Sequence, residues 1–251
     1  MLDTTGLFRR LPAPEAGEWL WVFPEEGQTF AEYRESGPER ATAERRTIYL
    51  APFLTRPPRD PELLSRIATV LEASYGREVS LLPPSPLPPG AYARRQIQAL
   101  ALAPHLVRTM PPDALFVLAV TDRDLAIGNH PRAFGWGSLT HRVGVLSTAR
   151  LEAEGDPPLF RRRLLMLALH ESGHMLSLPH CTFYRCLMNG ALTLVEADSR
   201  PAALCPVCRA KLCWNLAADP LARERALADA FRKTGLEADA RAALTIAETT
   251  G

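Results

Sequence analysis

Residues 170–208 read HESGHMLSLPHCTFYRCLMNGALTLVEADSRPAALCPVC. His170 and His174 are four apart. On an α-helix they stand one turn apart on the same face, and both imidazoles reach one metal ion. Glu171, beside His170, is placed to take a proton from metal-bound water rather than to bind the metal. A continued helix would carry His180 about 9 Å beyond His174, too far to share the ion. The helix must therefore end soon after His174 and the chain must turn back. Pro179 helps, because it cannot sit inside the helix and favours an extended residue before it. His180 then completes three nitrogen ligands and leaves a position open for water or substrate, as a catalytic zinc requires. Zinc lowers the pKa of its water towards ~7, so hydroxide forms at neutral pH. The flank LLMLAL, 164–169, is wholly apolar. A buried helix that carries His-Glu-x-x-His needs something to satisfy those polar groups.

All five cysteines, Cys181, Cys186, Cys205, Cys208 and Cys213, lie beyond residue 180. A disulfide scaffold would spread its bridges through the fold; this clustering, with a CxxC, points to thiolates on a metal and a reducing compartment. Cys181 with Cys186, and Cys205 with Cys208, have the spacing of chelating pairs in a tetrahedral Cys₄ zinc site. Such a closed tetrahedron is structural and pins the chain just after His180. Cys213, on the helix suggested by RAKLCWNL, reads as a small buried apolar residue. Two zinc ions per chain are expected, one catalytic and one structural.

A chain of 251 residues with 47% hydrophobic content can fill a sizeable core in one medium domain with appendages. A net charge of +1 and the lack of a basic stripe interleaved with aromatics argue against nucleic acid as a partner. No run approaches 18 apolar residues, so no membrane span is expected. The start, MLDTTGLFRRLPAPEAG, lacks the apolar run of a signal peptide, and a cytoplasmic location follows. The sequence assigns no oligomeric state.

Outward from the motif, the chain reads as an α/β domain with a mixed sheet. TIYLAPF, 47–53, is a β-prone run, and Trp19–Glu26 suits a short strand. Pro61–Tyr75 carries a helical apolar stripe, with Asp60 as N-cap, Pro61 at the first position and Gly76 at its end. A strand at Glu78–Leu82 follows, then the proline-rich connector 83–90, then a helix over Tyr92–Met110 kinked or divided at Pro104. Ala114–Thr121 is continuously apolar, hence a central strand. After a glycine-punctuated excursion, 122–139, come a strand at Arg142–Ser147 and the motif helix at Phe160–Met175. Asp219–Thr249 reads as two helices divided near Gly235. The expected divisions are an N-terminal extension (1–45), a catalytic domain (46–216) and a C-terminal helical extension (217–251). His105, His130 and His141 are isolated and read as surface or capping residues, the latter two bracketing the excursion.

The chain resembles the archaemetzincins of the metzincin clan. That family carries HExxHxxGxxHC, four residues, Cys, one residue, Met, about seventeen residues, and CxxC. His170, Glu171, His174, His180, Cys181, Cys186, Met188, Cys205 and Cys208 match, with the gap after Met188 one residue shorter. Upstream, TIYLAPF, Thr121–Leu125 and Ala133–Gly137 also fit, and Ser147–Leu151 is taken as the end of an antiparallel edge strand. The similarity spans roughly Thr47 to Leu216. It implies a metzincin-like zincin fold and a small C-terminal subdomain stabilised by the Cys₄ zinc. It also implies a zinc metallopeptidase that acts on peptides, with Met188 in a Met-turn under the zinc. By the same resemblance the edge strand pairs with an extended substrate, and cleavage is of aminopeptidase type. Asp122, Asp124 and Glu196 are the candidates for holding a free amine. The other reading is a zinc-bound peptide-binding protein with little turnover. Where the family has glycine this chain has Ser177, which would occupy a left-handed turn at about 1–2 kcal/mol.

Overall fold

A computed structural model describes residues 8–93, 95–153 and 155–249; the first seven and last two residues of the expected terminal extensions lie outside it. The chain order is α1 (Trp19–Val22), α2 (Phe30–Glu35), β1 (Thr47–Phe53), α3 (Leu63–Tyr75), β2 (Val79–Leu81), β3 (Tyr92–Ala93), β4 (Gln96–Gln98), α4 (Ala99–Thr109), β5 (Ala114–Thr121), β6 (Leu125–Ile127), β7 (His130–Ala133), β8 (Gly135–Gly137), β9 (Val143–Ser147), α5 (Pro157–His174), α6 (Leu194–Asp198), α7 (Pro206–Leu216), α8 (Pro220–Lys233) and α9 (Glu237–Thr249).

The main sheet has the order β2-β1-β5-β9-β8. The first four strands are mutually parallel and β8 is antiparallel at the edge. β5 lies in the middle, as its unbroken apolar run predicts, and every residue in it is buried. Its side chains alternate between two cores. Phe116, Leu118 and Val120 join Ile67, Leu164 and Leu165 from the helices on one face. Val117 and Ala119 join Leu102 and Leu106 of α4 on the other. The first core also takes in Phe8, Tyr33, Phe231 and Ile246, so all three expected divisions share it. α8 and α9 pack as a hairpin, with Gly235 at positive φ between them, as expected. Among the described residues no helix is long and apolar enough to cross a membrane.

Several local expectations change. Residues 92–93 and 95–98 are not helix. Ile97, fully buried, pairs with Leu125 in a second small sheet, β3-β4-β6-β7, and α4 begins only at Ala99. α4 then runs through Pro104 without division. Trp19–Val22 is a helical turn rather than a strand, because the Glu196 carboxylate caps its first amide at 2.8 Å. The antiparallel edge strand is β8, not the strand leading into Ser147–Leu151. β9 lies inside the sheet, and after Ser147 the chain leaves it, with the Thr148 amide donating to Thr121. Finally, α3 starts at Leu63, because Asp60 turns its side chain onto the Glu62 amide instead of opening the helix directly.

Candidate active site

α5 begins three residues earlier than expected. Asp156 caps it through the Leu159 amide, and two prolines fill its first turn. Its last residues bury His170, Glu171 and His174. The exit is a left-handed cap: the Ser177 amide donates to His174 at 2.8 Å and the Leu178 amide to Gly173 at 3.1 Å. Ser177 has φ 61°, so it takes the backbone geometry usually given to glycine. Its hydroxyl donates to the Leu139 carbonyl (2.6 Å) and accepts from the Glu39 amide (3.0 Å), which offsets part of the conformational cost.

This turn brings His180 back beneath the helix. The Nδ1 atoms of the three imidazoles face acceptors: the Leu187 carbonyl for His170 (2.8 Å), the Leu178 carbonyl for His174 (2.7 Å) and the Glu25 carboxylate for His180 (3.0 Å). Each Nδ1 therefore donates, and each Nε2 presents a lone pair inward. One donor atom from each of the three residues lies within 4.8 Å of the others, and the Nε2 atoms of His170 and His174 are 3.1 Å apart. Two nitrogens about 2.0–2.1 Å from one tetrahedral zinc would have nearly that separation. Burial holds His170 well below the ordinary imidazole range and His174 down at about 3, with neighbouring histidines adding to both effects. Neutral imidazoles crowded lone pair to lone pair are a donor set that suits zinc.

Glu171 lies against the edge strand. A Cβ built on Gly135 would come within 2.5 Å of its Oε1, and one on Gly137 within 2.3 Å of its backbone oxygen. These two glycines let β8 approach α5 this closely. Burial pushes the Glu171 carboxyl up to about 8, against an opposing pull from Arg200. Such a carboxyl can take up and return a proton near neutral pH. A cleft of about 610 Å³ opens beside it, lined by β8, α5, the three histidines and residues 187–200.

The wall opposite comes from the N-terminal segment, whose role spacing did not reveal. Trp19 packs its ring 4.8 Å from that of His180, and a Cβ on Gly190 would strike it at 2.3 Å. Trp19 Nε1 donates to Glu25, which in turn accepts from His180. Phe23 stacks edge-on with His130 at the cleft margin. Asp122, Asp124 and Glu196 do not line this cleft. Asp122 accepts from Thr55, Asp124 is forked onto Arg150, and Glu196 caps Trp19 and Leu192. The acidic groups on the cleft wall are instead Glu25, Glu26, Glu171 and Asp198. His105 and His141 also lie outside the cleft.

One residue past His180 the chemistry changes. Cys181, Cys186, Cys205 and Cys208 are all buried, and their sulfurs lie within 4.8 Å of one another. Cys181 and Cys205 Sγ are 3.6 Å apart, unbonded and near the separation about a tetrahedral zinc with bonds of roughly 2.3 Å. Asn189 staples the loop by accepting from the Cys186 amide and donating to the Cys181 and Tyr184 carbonyls. Met188, between the clusters, packs its sulfur under α5, where a Cβ on Gly173 would meet it at 2.7 Å. Cys213 is buried on α7 apart from the four, as expected.

Comparisons with known proteins agree with this architecture. The family model for peptidase family M54 matches residues 112–213. Archaemetzincin from Archaeoglobus fulgidus is 31% identical over 58% of this chain and 88% of its own length. Human archaemetzincin-1 is 32% identical over 84% of this chain, which spans 49% of that protein. The crystal structure of archaemetzincin from Methanopyrus kandleri superposes with a TM-score of 0.62 at 29% identity, covering 70% of this chain and 98% of its own. The mixed α/β fold and these matches define a zinc metallopeptidase, a hydrolase whose substrates are peptides. The chain belongs to the archaemetzincin family.

Proposed function

We propose that this chain hydrolyses peptide bonds in an aminopeptidase-type reaction, with Glu171 as its general base. In this reading His170, His174 and His180 hold the catalytic zinc, and Cys181, Cys186, Cys205 and Cys208 hold a second, structural zinc. The observation that carries it is the convergence of three inward-facing imidazoles beside a buried carboxyl in one cleft. Zinc held by these residues would supply an acidified water and a Lewis acid for the scissile carbonyl. Glu171 takes the water's proton and returns it to the leaving nitrogen. β8, the free edge of the main sheet, offers backbone groups to an extended substrate. Glu26 on the N-terminal wall replaces the expected acids as the group for a free amine, since Glu25 is engaged by His180 and Trp19. Five thiols outside any disulfide favour a reducing compartment, the cytoplasm.

A second reading, a zinc-loaded peptide-binding protein with little turnover, draws on the N-terminal segment, because Trp19 and Glu25 rest directly on His180. Zinc content per chain, with hydrolysis of matched free-amino and N-blocked peptides by wild type and Glu171→Ala, separates the two. Two zincs, turnover lost in the variant and a need for the free amine support the first. Two zincs without Glu171-dependent turnover support the second.

A further inference from the structure

Among the described residues, four arginines line the cleft: Arg132, Arg162, Arg163 and Arg200. Arg163 is forked onto Asp198 at 2.6–3.2 Å and also reaches the carbonyls of Leu151 and Glu152. Arg162 pairs with Asp239 and donates to the carbonyls of Asp198 and Arg200. Arg132 lies on the exposed part of β7. Arg200 is different. Its guanidinium forms no hydrogen bond or ion pair among the described residues, and its Nε is buried without a partner.

Its position is nonetheless fixed. The Arg200 amide donates to Ala197 as α6 ends, its carbonyl accepts from Arg162 at 2.9 Å, and Pro201 follows. Burial pushes its guanidinium down to about 10, although Glu196 and Glu171 pull the other way. Neither acid serves as its partner. Both Glu196 oxygens are occupied, by the Trp19 and Leu192 amides, and Glu171 faces β8. A guanidinium whose Nε is buried without a partner carries a desolvation cost, which is relieved when an anion enters beside it. Arg200 and Glu171 line the same cleft. Glu171 must itself reach the leaving nitrogen, so the anion belongs on the leaving side of the scissile bond.

We propose that Arg200 is a specificity-determining residue that pairs with a carboxylate on the leaving-group side of the substrate. That carboxylate is either an acidic side chain just past the scissile bond or the free C-terminus of a short peptide. The proposal rests on the peptidase reading, but its test does not require turnover. Zinc-loaded Glu171→Ala protein is titrated calorimetrically with three probe pairs: Ala-Glu-Ala amide against Ala-Gln-Ala amide, and Ala-Ala and Ala-Ala-Ala as free acids against their amides. A preference of about 10- to 100-fold for a carboxylate probe is expected, the range of a charge-assisted pair. The probe that shows it identifies the source. Adding Arg200→Met should bring the ratio to about one, while Arg200→Lys should keep part of it. Zinc content and circular dichroism report whether each variant is folded. No preference in the protein that keeps Arg200 would overturn the proposal, even if the variants do not fold. So would a preference that survives Arg200→Met, since it would belong to the zinc itself. Failure of the peptidase reading would show separately, as two zincs with no Glu171-dependent hydrolysis.

Discussion

The histidine cluster and the cysteine cluster meet at one peptide bond, between His180 and Cys181, yet they are built for opposite ends. The histidines offer three donors, a buried acid beside them and a cleft of about 610 Å³. The cysteines offer four buried donors in a loop stapled by Asn189. Three donors leave a place for substrate; four close the shell. Because the third histidine is contiguous with the cysteine cluster, the proposed reading makes its position depend on cysteine chemistry that never touches substrate.

The strongest way to break that comparison is to remove the closed site. Cys205→Ser or Cys208→Ser should cost one zinc per chain and about 4 kcal/mol or more of stability, the scale of losing a metal. For a chain of this size that is a fall in Tm of roughly 10 °C or more, read by calorimetry with metal analysis. The histidine site should also bind zinc more weakly. If it keeps full affinity while the other ion is lost, the coupling through His180 is absent.

Glu171→Gln tests the open site alone. kcat/KM should fall about 10²- to 10⁴-fold, with both zincs retained and Tm not lowered, because the change removes a carboxyl that burial disfavours when charged. A loss of zinc in this variant would make Glu171 a ligand rather than a base.

Glu25→Ala asks what the N-terminal wall contributes. Glu25 accepts from His180 as Leu187 and Leu178 accept from the other two histidines, but it comes from the far end of the chain. Removing such an orienting partner typically lowers metal affinity about 10- to 100-fold. Competition with a chromophoric chelator should show this change for the histidine-bound ion and none for the cysteine-bound one.

Much of this was legible because it is local. The four-residue step from His170 to His174, the proline before His180 and the paired cysteines each constrain geometry within a few residues. The buried run of β5 and the glycine between α8 and α9 act the same way. What was misread depends on distant partners. The segment around Ile97 has the composition of a helix, but Gln96–Gln98 is drawn into a sheet by Leu125 and Asp124. Trp19–Val22 is set by Glu196, which lies more than 170 residues away. Asp122 and Asp124 sit in a motif-like segment, and only the fold shows that Thr55 and Arg150 already engage them. Glu25 carries no local signature at all.

Ser177 gives the finest test, because it turns the chain from His174 back to His180 and departs from the glycine of the family pattern. Its left-handed backbone costs about 1 kcal/mol or more relative to glycine, and its two hydroxyl bonds return about 1 kcal/mol each at most. Ser177→Ala keeps the backbone cost and loses both bonds, so it should lower the unfolding free energy by about 1–2 kcal/mol. Ser177→Gly loses the same bonds but relieves the backbone, so it should lie within about 1 kcal/mol of wild type. Denaturant titration of the zinc-loaded protein measures both. Alanine should fall below glycine by about 1 kcal/mol. If the two are equally destabilised, the turn carries no backbone cost and the hydroxyl bonds to Leu139 and Glu39 explain the serine. If alanine matches wild type, those bonds contribute nothing and the left-handed cap alone sets where His180 returns.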